Sequence, residues 1–126
     1  MMDDKRSVRR IKSLHYVLFA LIVITVIICI VIYKYNYTFS SSRWIQFPDE
    51  RTKMVSDMLE KNDLTGKTRE EIKDLLGDET KTGYFKSNDN CVYYLGAERG
   101  LFSIDSEWLV ITFANNKVVS TEILTD

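Results

Sequence analysis

The chain has 126 residues, a formal net charge of −1, one proline, one histidine and two cysteines. Hydrophobic residues make up 45% and charged residues 28%, a balance that excludes an intrinsically disordered chain. The length allows one small domain with an appendage and excludes two full domains.

Charge is unevenly spread. Lys5, Arg6, Arg9, Arg10 and Lys12 crowd the start of the chain, against Asp3 and Asp4 alone. From Ser40 to Asp126 there are 11 basic and 16 acidic residues, a balance of −5. An acidic domain of this kind is a poor binder of phosphate backbones, so no nucleic-acid partner is expected.

Tyr16 to Tyr33 is an uncharged aliphatic run of 18 residues, YVLFALIVITVIICIVIY. As a helix it would measure about 27 Å, close to the hydrocarbon thickness of a bilayer. Tyr16, Tyr33, Tyr35 and Tyr37 bracket it as interfacial aromatics do. A chain this small cannot enclose a helix that is apolar on every side. The run exceeds the usual apolar core of a signal peptide, and no small-residue cleavage site follows it closely. Residues 16–35 are therefore read as a retained transmembrane helix. The basic cluster of residues 1–15 places the N-terminus in the cytoplasm and the rest of the chain outside a cell membrane. Cys29 is not a lipidation site on this reading, because Ile28 stands where a small residue is needed and the apolar run continues past it.

Residues 36–47 read as a linker, and 48–126 as the outer domain. Asn36-Tyr37-Thr38 fits an N-glycosylation pattern but lies close to the membrane and carries little weight. Pro48 opens a helix running to about Lys61, with Met54, Val55, Met58 and Leu59 on one apolar stripe. Leu64 to Lys67 is a tight connection. Thr68-Arg69-Glu70-Glu71 is a capping box that starts a second helix. Ile72, Leu75 and Leu76 are its buried face, and Gly77 is its C-cap.

Beyond Gly77 the pattern becomes extended. Gly83 to Lys86 is a candidate short strand, Cys91 to Leu95 a stronger one and Trp108 to Ala114 the best. Asn115-Asn116 is a two-residue turn into Lys117 to Leu124. The expectation is an α+β fold: a transmembrane helix, then two helices on a three-stranded antiparallel sheet. Strict alternation puts Leu109, Ile111, Phe113 and Val118 under the helices. Trp108, Val110, Thr112, Val119, Thr121 and Ile123 then share the opposite face. The loop from Gly96 to Ser106 is expected to cover that face with Leu101, Phe102 and Ile104.

The segments LTGKTREEIKDLLG, CVYYLG and WLVITFANNKV, within Leu64 to Val118, resemble the BamE-like (SmpA/OmlA) family. The resemblance implies two helices on a three-stranded antiparallel sheet, tethered to a bacterial envelope membrane. It implies accessory, binding or inhibitory roles in place of catalysis. The typical member is a lipoprotein, whereas here an apolar helix precedes the domain. That difference points to a cytoplasmic-membrane protein with an outward-facing domain.

Little in the sequence suggests chemistry. Gly66-Lys67-Thr68 looks like the end of a phosphate-binding loop, but Lys61 occupies the place of its first glycine. The outer domain has no histidine, which removes histidine-activated nucleophiles and histidine-rich zinc sites. Cys91 is alone in the outer domain, so it can form no disulfide within it. Asp89, Glu98, Asp105 and Glu107 match no calcium-loop spacing. No catalytic residue, cofactor, metal or small-molecule substrate is expected. Arg99, Leu101, Phe102 and Trp108 are the candidate partner-binding residues, because the Trp108 sheet face and the Gly96–Ser106 loop are the surfaces the domain would present, and an arginine there can offer a planar fork to a partner carboxylate. The expected function is a non-enzymatic, membrane-anchored interaction module of the bacterial envelope. The alternative is a small inhibitor or immunity-type protein, its acidic domain suited to a basic secreted target.

Overall fold

The computed structural model describes residues 2–81 and 83–126. The chain divides into two units, residues 1–36 and 37–126. Helix α1 runs Met2–Tyr37, and none of its residues is buried. It is long and apolar enough to cross a membrane. Thr25, its main polar interruption, donates its hydroxyl to the carbonyl of Leu21 at 2.8 Å, so that proton is paired within the helix.

The second unit begins with helix α2, Ser41–Gln46, followed by a 3₁₀ turn at Pro48–Glu50 and helix α3, Arg51–Lys61. The stretch expected to be linker, 36–47, is thus partly helix. Its Trp44 is fully buried, edge-on to Phe39 and Tyr93. Six residues are too few to show a helical period, so packing of the indole, not propensity, holds α2. Arg51 lies over the Trp44 ring at 5.2 Å and donates from Nε to the Trp44 carbonyl at 2.7 Å. Its other branch donates to the Tyr94 carbonyl at 3.0 Å, tying α2 and α3 to the sheet.

Helix α4, Arg69–Leu76, starts with the expected capping box: Thr68 Oγ1 accepts from Glu71 N–H and Glu71 Oε2 accepts from Thr68 N–H. Gly77 ends it at φ +75°, where an added Cβ would meet the Ile45 side chain at 2.9 Å.

Strands β1 (Asn90–Ala97), β2 (Ser106–Ala114) and β3 (Lys117–Thr125) form an antiparallel sheet in the order β1-β2-β3. The α+β class and the three strands are as expected. Gly83 to Lys86 forms no strand. One face of the sheet packs on Trp44, Met54, Val55, Met58, Ile72 and Leu76 through Tyr93, Leu95, Leu109, Ile111, Phe113 and Val118.

The hairpin departs from strict alternation. Asn115 and Asn116 take φ +51° and +60°, as the turn requires, and Phe113 faces Val118. Thr112, however, faces Ser120, so Val119 is the extra residue of a β-bulge. Every later residue of β3 changes face relative to expectation. Ile123 pairs with Leu109 and joins the helix-side core, while Leu124 pairs with Trp108 on the other side. The cause lies outside the hairpin. Val118 gives its N–H to the Lys67 carbonyl and takes the Gly66 N–H on its own carbonyl. The turn between α3 and α4 thereby fixes the start of β3, and the bulge restores pairing beyond it.

Candidate functional site

The second face of the sheet carries Val92, Trp108 and Val110, with Tyr94 and Leu124 packed beside them. Trp108 is only 7% exposed, so it is not an open binding residue. The loop expected to cover it does not. Leu101, Phe102 and Ile104 are 97%, 84% and 89% exposed. The cover comes from the segment before β1. Tyr84 stacks on Trp108 with centroids 5.5 Å apart, and Tyr94 meets the same ring edge-on at 5.1 Å.

Polar contacts explain this exchange of roles. Thr80 N–H donates to the Val92 carbonyl at 2.8 Å, and Thr80 Oγ1 accepts from Tyr94 N–H at 2.9 Å. Glu79 Oε2 accepts from Val92 N–H and from Lys86 Nζ. These bonds hold Glu79, Thr80 and Lys86 at the free edge of β1, and Tyr84 lies over the face. The loop between β1 and β2 is held differently. Arg99 Nε and Nη2 form a fork on the buried carboxylate of Glu107, at 2.9 to 3.1 Å. Arg99 N–H donates to the same carboxylate at 3.0 Å, and Nη1 reaches Ser56 Oγ on α3 at 3.4 Å. Arg99 is therefore engaged within the domain, by Glu107 and not by the neighbouring Glu98 or Asp105.

Of the four expected partner-binding residues, the structure leaves Leu101 and Phe102 open and adds Ile104 to them. Arg99 fixes the root of their loop, and Trp108 lies under another one. The three large apolar residues just after Gly100 suggested cover for the Trp108 face, and they stand exposed instead. The burial of Glu107 had no sequence signal.

Two clefts remain. One, of about 220 Å³, is lined by Arg69, Lys73, Gly77, Asp78, Glu79, Cys91 and Tyr93. Its charges are paired locally: Lys73 with Asp78 at 2.9 Å and Glu79 with Lys86 at 2.6 Å. Arg69 lies 4.4 Å from the centre of the Phe113 ring and donates to the carbonyls of Asn88 and Asn90. Tyr93 Oη donates to the Gly77 carbonyl at 2.9 Å. Burial, aided by nearby Glu79, pushes the Cys91 thiol up to about 11, so it is a neutral packing group at neutral pH. The second cleft, of about 290 Å³, lies between Arg99 and Tyr37, with Thr52, Lys53, Ser56, Asp57 and Glu60 of α3 along it. Asp57 there accepts the Phe39 N–H at 2.6 Å and Lys61 Nζ at 2.8 Å, and both bonds hold its carboxyl below the usual carboxylate range.

Among the described residues, no three His, Cys, Asp or Glu side chains converge as a metal site. Beyond Val118, the outer edge of β3 makes no backbone bond to another segment among the described residues. Fold and surface together define a small α+β domain that follows a helix long enough to cross a membrane. No family model, curated protein or solved structure matches the chain.

Proposed function

We propose that the chain is a non-enzymatic, membrane-anchored interaction module of the bacterial envelope, a scaffold or regulatory accessory subunit of BamE-like architecture. The observation that carries this reading is the continuity of the two units. A 36-residue helix with no buried residue passes into an acidic α+β domain with three residues between Tyr33 and Tyr37. A soluble protein would have to cover such a helix, and a bilayer covers it without cost to the domain. The basic residues before the helix support an N-terminus in the cytoplasm and a domain outside. In this reading the open edge of β3, with Val119 exposed beside it, is the surface offered to a protein partner, since an unpaired strand edge binds another strand through main-chain hydrogen bonds.

The test is photo-cross-linking of the full-length chain in its native membrane, with the reactive group placed at Ser120 on that edge. A single membrane-complex partner, captured only by the anchored chain, is the expected result. A soluble secreted enzyme captured equally without the anchor would replace this reading with the inhibitor or immunity type. Alkaline extraction releasing the chain from membranes would remove the anchor altogether.

A further inference from the structure

We propose that the apolar tip Leu101-Phe102-Ser103-Ile104 inserts into the surface of the same bilayer that holds the anchor, giving the domain a second, non-covalent hold on lipid. This rests on the membrane-anchored reading above, and it names what the tip touches.

Four observations converge. First, the three large side chains of the tip are almost wholly exposed, while every other apolar residue of β1 and β2 beside them is buried or half-buried, Ala97 and Ala114 at the strand ends excepted. Second, the root of the loop meets the start of the domain. Arg99 and Tyr37 line one cleft. Arg99 Nη1 reaches Ser56, and the next residue, Asp57, accepts the Phe39 N–H. Third, Tyr37 lies four residues past the end of the apolar run at Tyr33. Even fully extended, four residues reach only about 14 Å, so the start of the domain stays close to the headgroups. The root of the loop, which shares its cleft, stays there too. Fourth, the tip is built to leave water. No charge lies between Gly100 and Ile104. Ser103 Oγ turns inward and donates to the Glu98 carbonyl at 2.7 Å, and Glu98 N–H donates to the Asp105 carbonyl at 2.9 Å, closing the neck.

The charges around the tip identify the lipid. Glu98 and Asp105 flank it, and Arg99 is neutralised by Glu107. Anionic lipid therefore offers no gain, and zwitterionic phosphatidylcholine is sufficient.

The experiment uses the full-length chain carrying Phe102→Trp, reconstituted in phosphatidylcholine vesicles brominated near the carbonyl end of the acyl chains. Emission of the unsubstituted chain, with Trp44 and Trp108, is subtracted. The added indole is expected to be quenched by bromine and shielded from acrylamide. Adding Leu101→Ser and Ile104→Ser in the same chain is expected to reduce bromine quenching roughly threefold, because insertion scales with apolar area. A chain that floats with the vesicles after an alkaline wash, yet shows acrylamide quenching and no bromine quenching, overturns the proposal while leaving the anchor intact. A chain that does not float overturns the anchored reading and this proposal with it. Shielding that grows with protein-to-lipid ratio assigns the tip to a second copy, and shielding found only in native membranes assigns it to a protein; both overturn the lipid assignment.

Discussion

The two loops that flank β1 carry similar apolar cargo and have opposite fates. The segment before the strand holds Tyr84 and Phe85, and the one after it holds Leu101, Phe102 and Ile104. Only the first closes over the sheet. The difference is polar. Glu79 and Thr80 bond the backbone of β1 at its free edge, whereas Arg99 grips Glu107 and turns its loop toward α3. Where an apolar loop packs is decided here by the hydrogen bonds at its root, because each fixes a direction that hydrophobic burial, being non-directional, does not.

The contrast can be broken at several points. Trp108→Ala removes the ring on which Tyr84 and Tyr94 rest, and it is expected to cost about 3 to 5 kcal/mol in denaturant unfolding of the full chain. A loss below about 1 kcal/mol would mean that the first loop does not close the face. Thr80→Val leaves the Tyr94 N–H without its acceptor and is expected to cost about 1 to 3 kcal/mol. The same change should open Trp108 to acrylamide; unchanged quenching would show that Tyr84 is held by stacking alone. Glu107→Gln removes the charge from the fork on Arg99. Because Arg99 is half exposed, the expected loss is only about 1 kcal/mol. Its sharper readout is faster proteolysis within residues 98–105, and an unaltered cleavage rate would detach Arg99 from the loop's placement. Leu101→Ser should change unfolding by less than about 0.5 kcal/mol in detergent, since nothing in the domain covers that side chain.

The strand between the loops has a pH signature of its own. The Cys91 thiol is raised from 9.0 to about 11 by burial. Its contribution to stability is complete below pH 9.0 and is lost as pH rises through about 11, because the unfolded chain gives up the proton first. Cys91→Ala should flatten that part of the alkaline decline in thermal melts. An identical slope in both chains would assign the decline elsewhere, to Tyr93 first, whose hydroxyl burial also raises.

The parts of this architecture that were legible in the sequence are those set by neighbours along the chain. The capping box at Thr68, the Gly77 stop, the Asn115-Asn116 turn and the apolar run of α1 are all local patterns. What escaped was set across the chain. Val118 and Val119 are the same residue type, so only the bonds from Gly66 and Lys67 reveal which one pairs and which one bulges. Trp44 sits in a helix too short to show a period. The candidate site was less legible. Leu101 and Phe102 stand open where they were expected to cover the Trp108 face, Trp108 is covered by another segment and Arg99 is occupied, because the partners lie in segments that sequence order does not join to them.

The sheet is a plain meander, with each strand paired to the next in sequence. Two residues close the second connection and eight the first, so both are short loops with a small closure entropy. The slow step in folding should therefore be the return of α3 and α4 onto strands tens of residues away. Changes in the β2–β3 hairpin should act mainly on how fast the domain forms, and changes under α3 and α4 on how fast it comes apart.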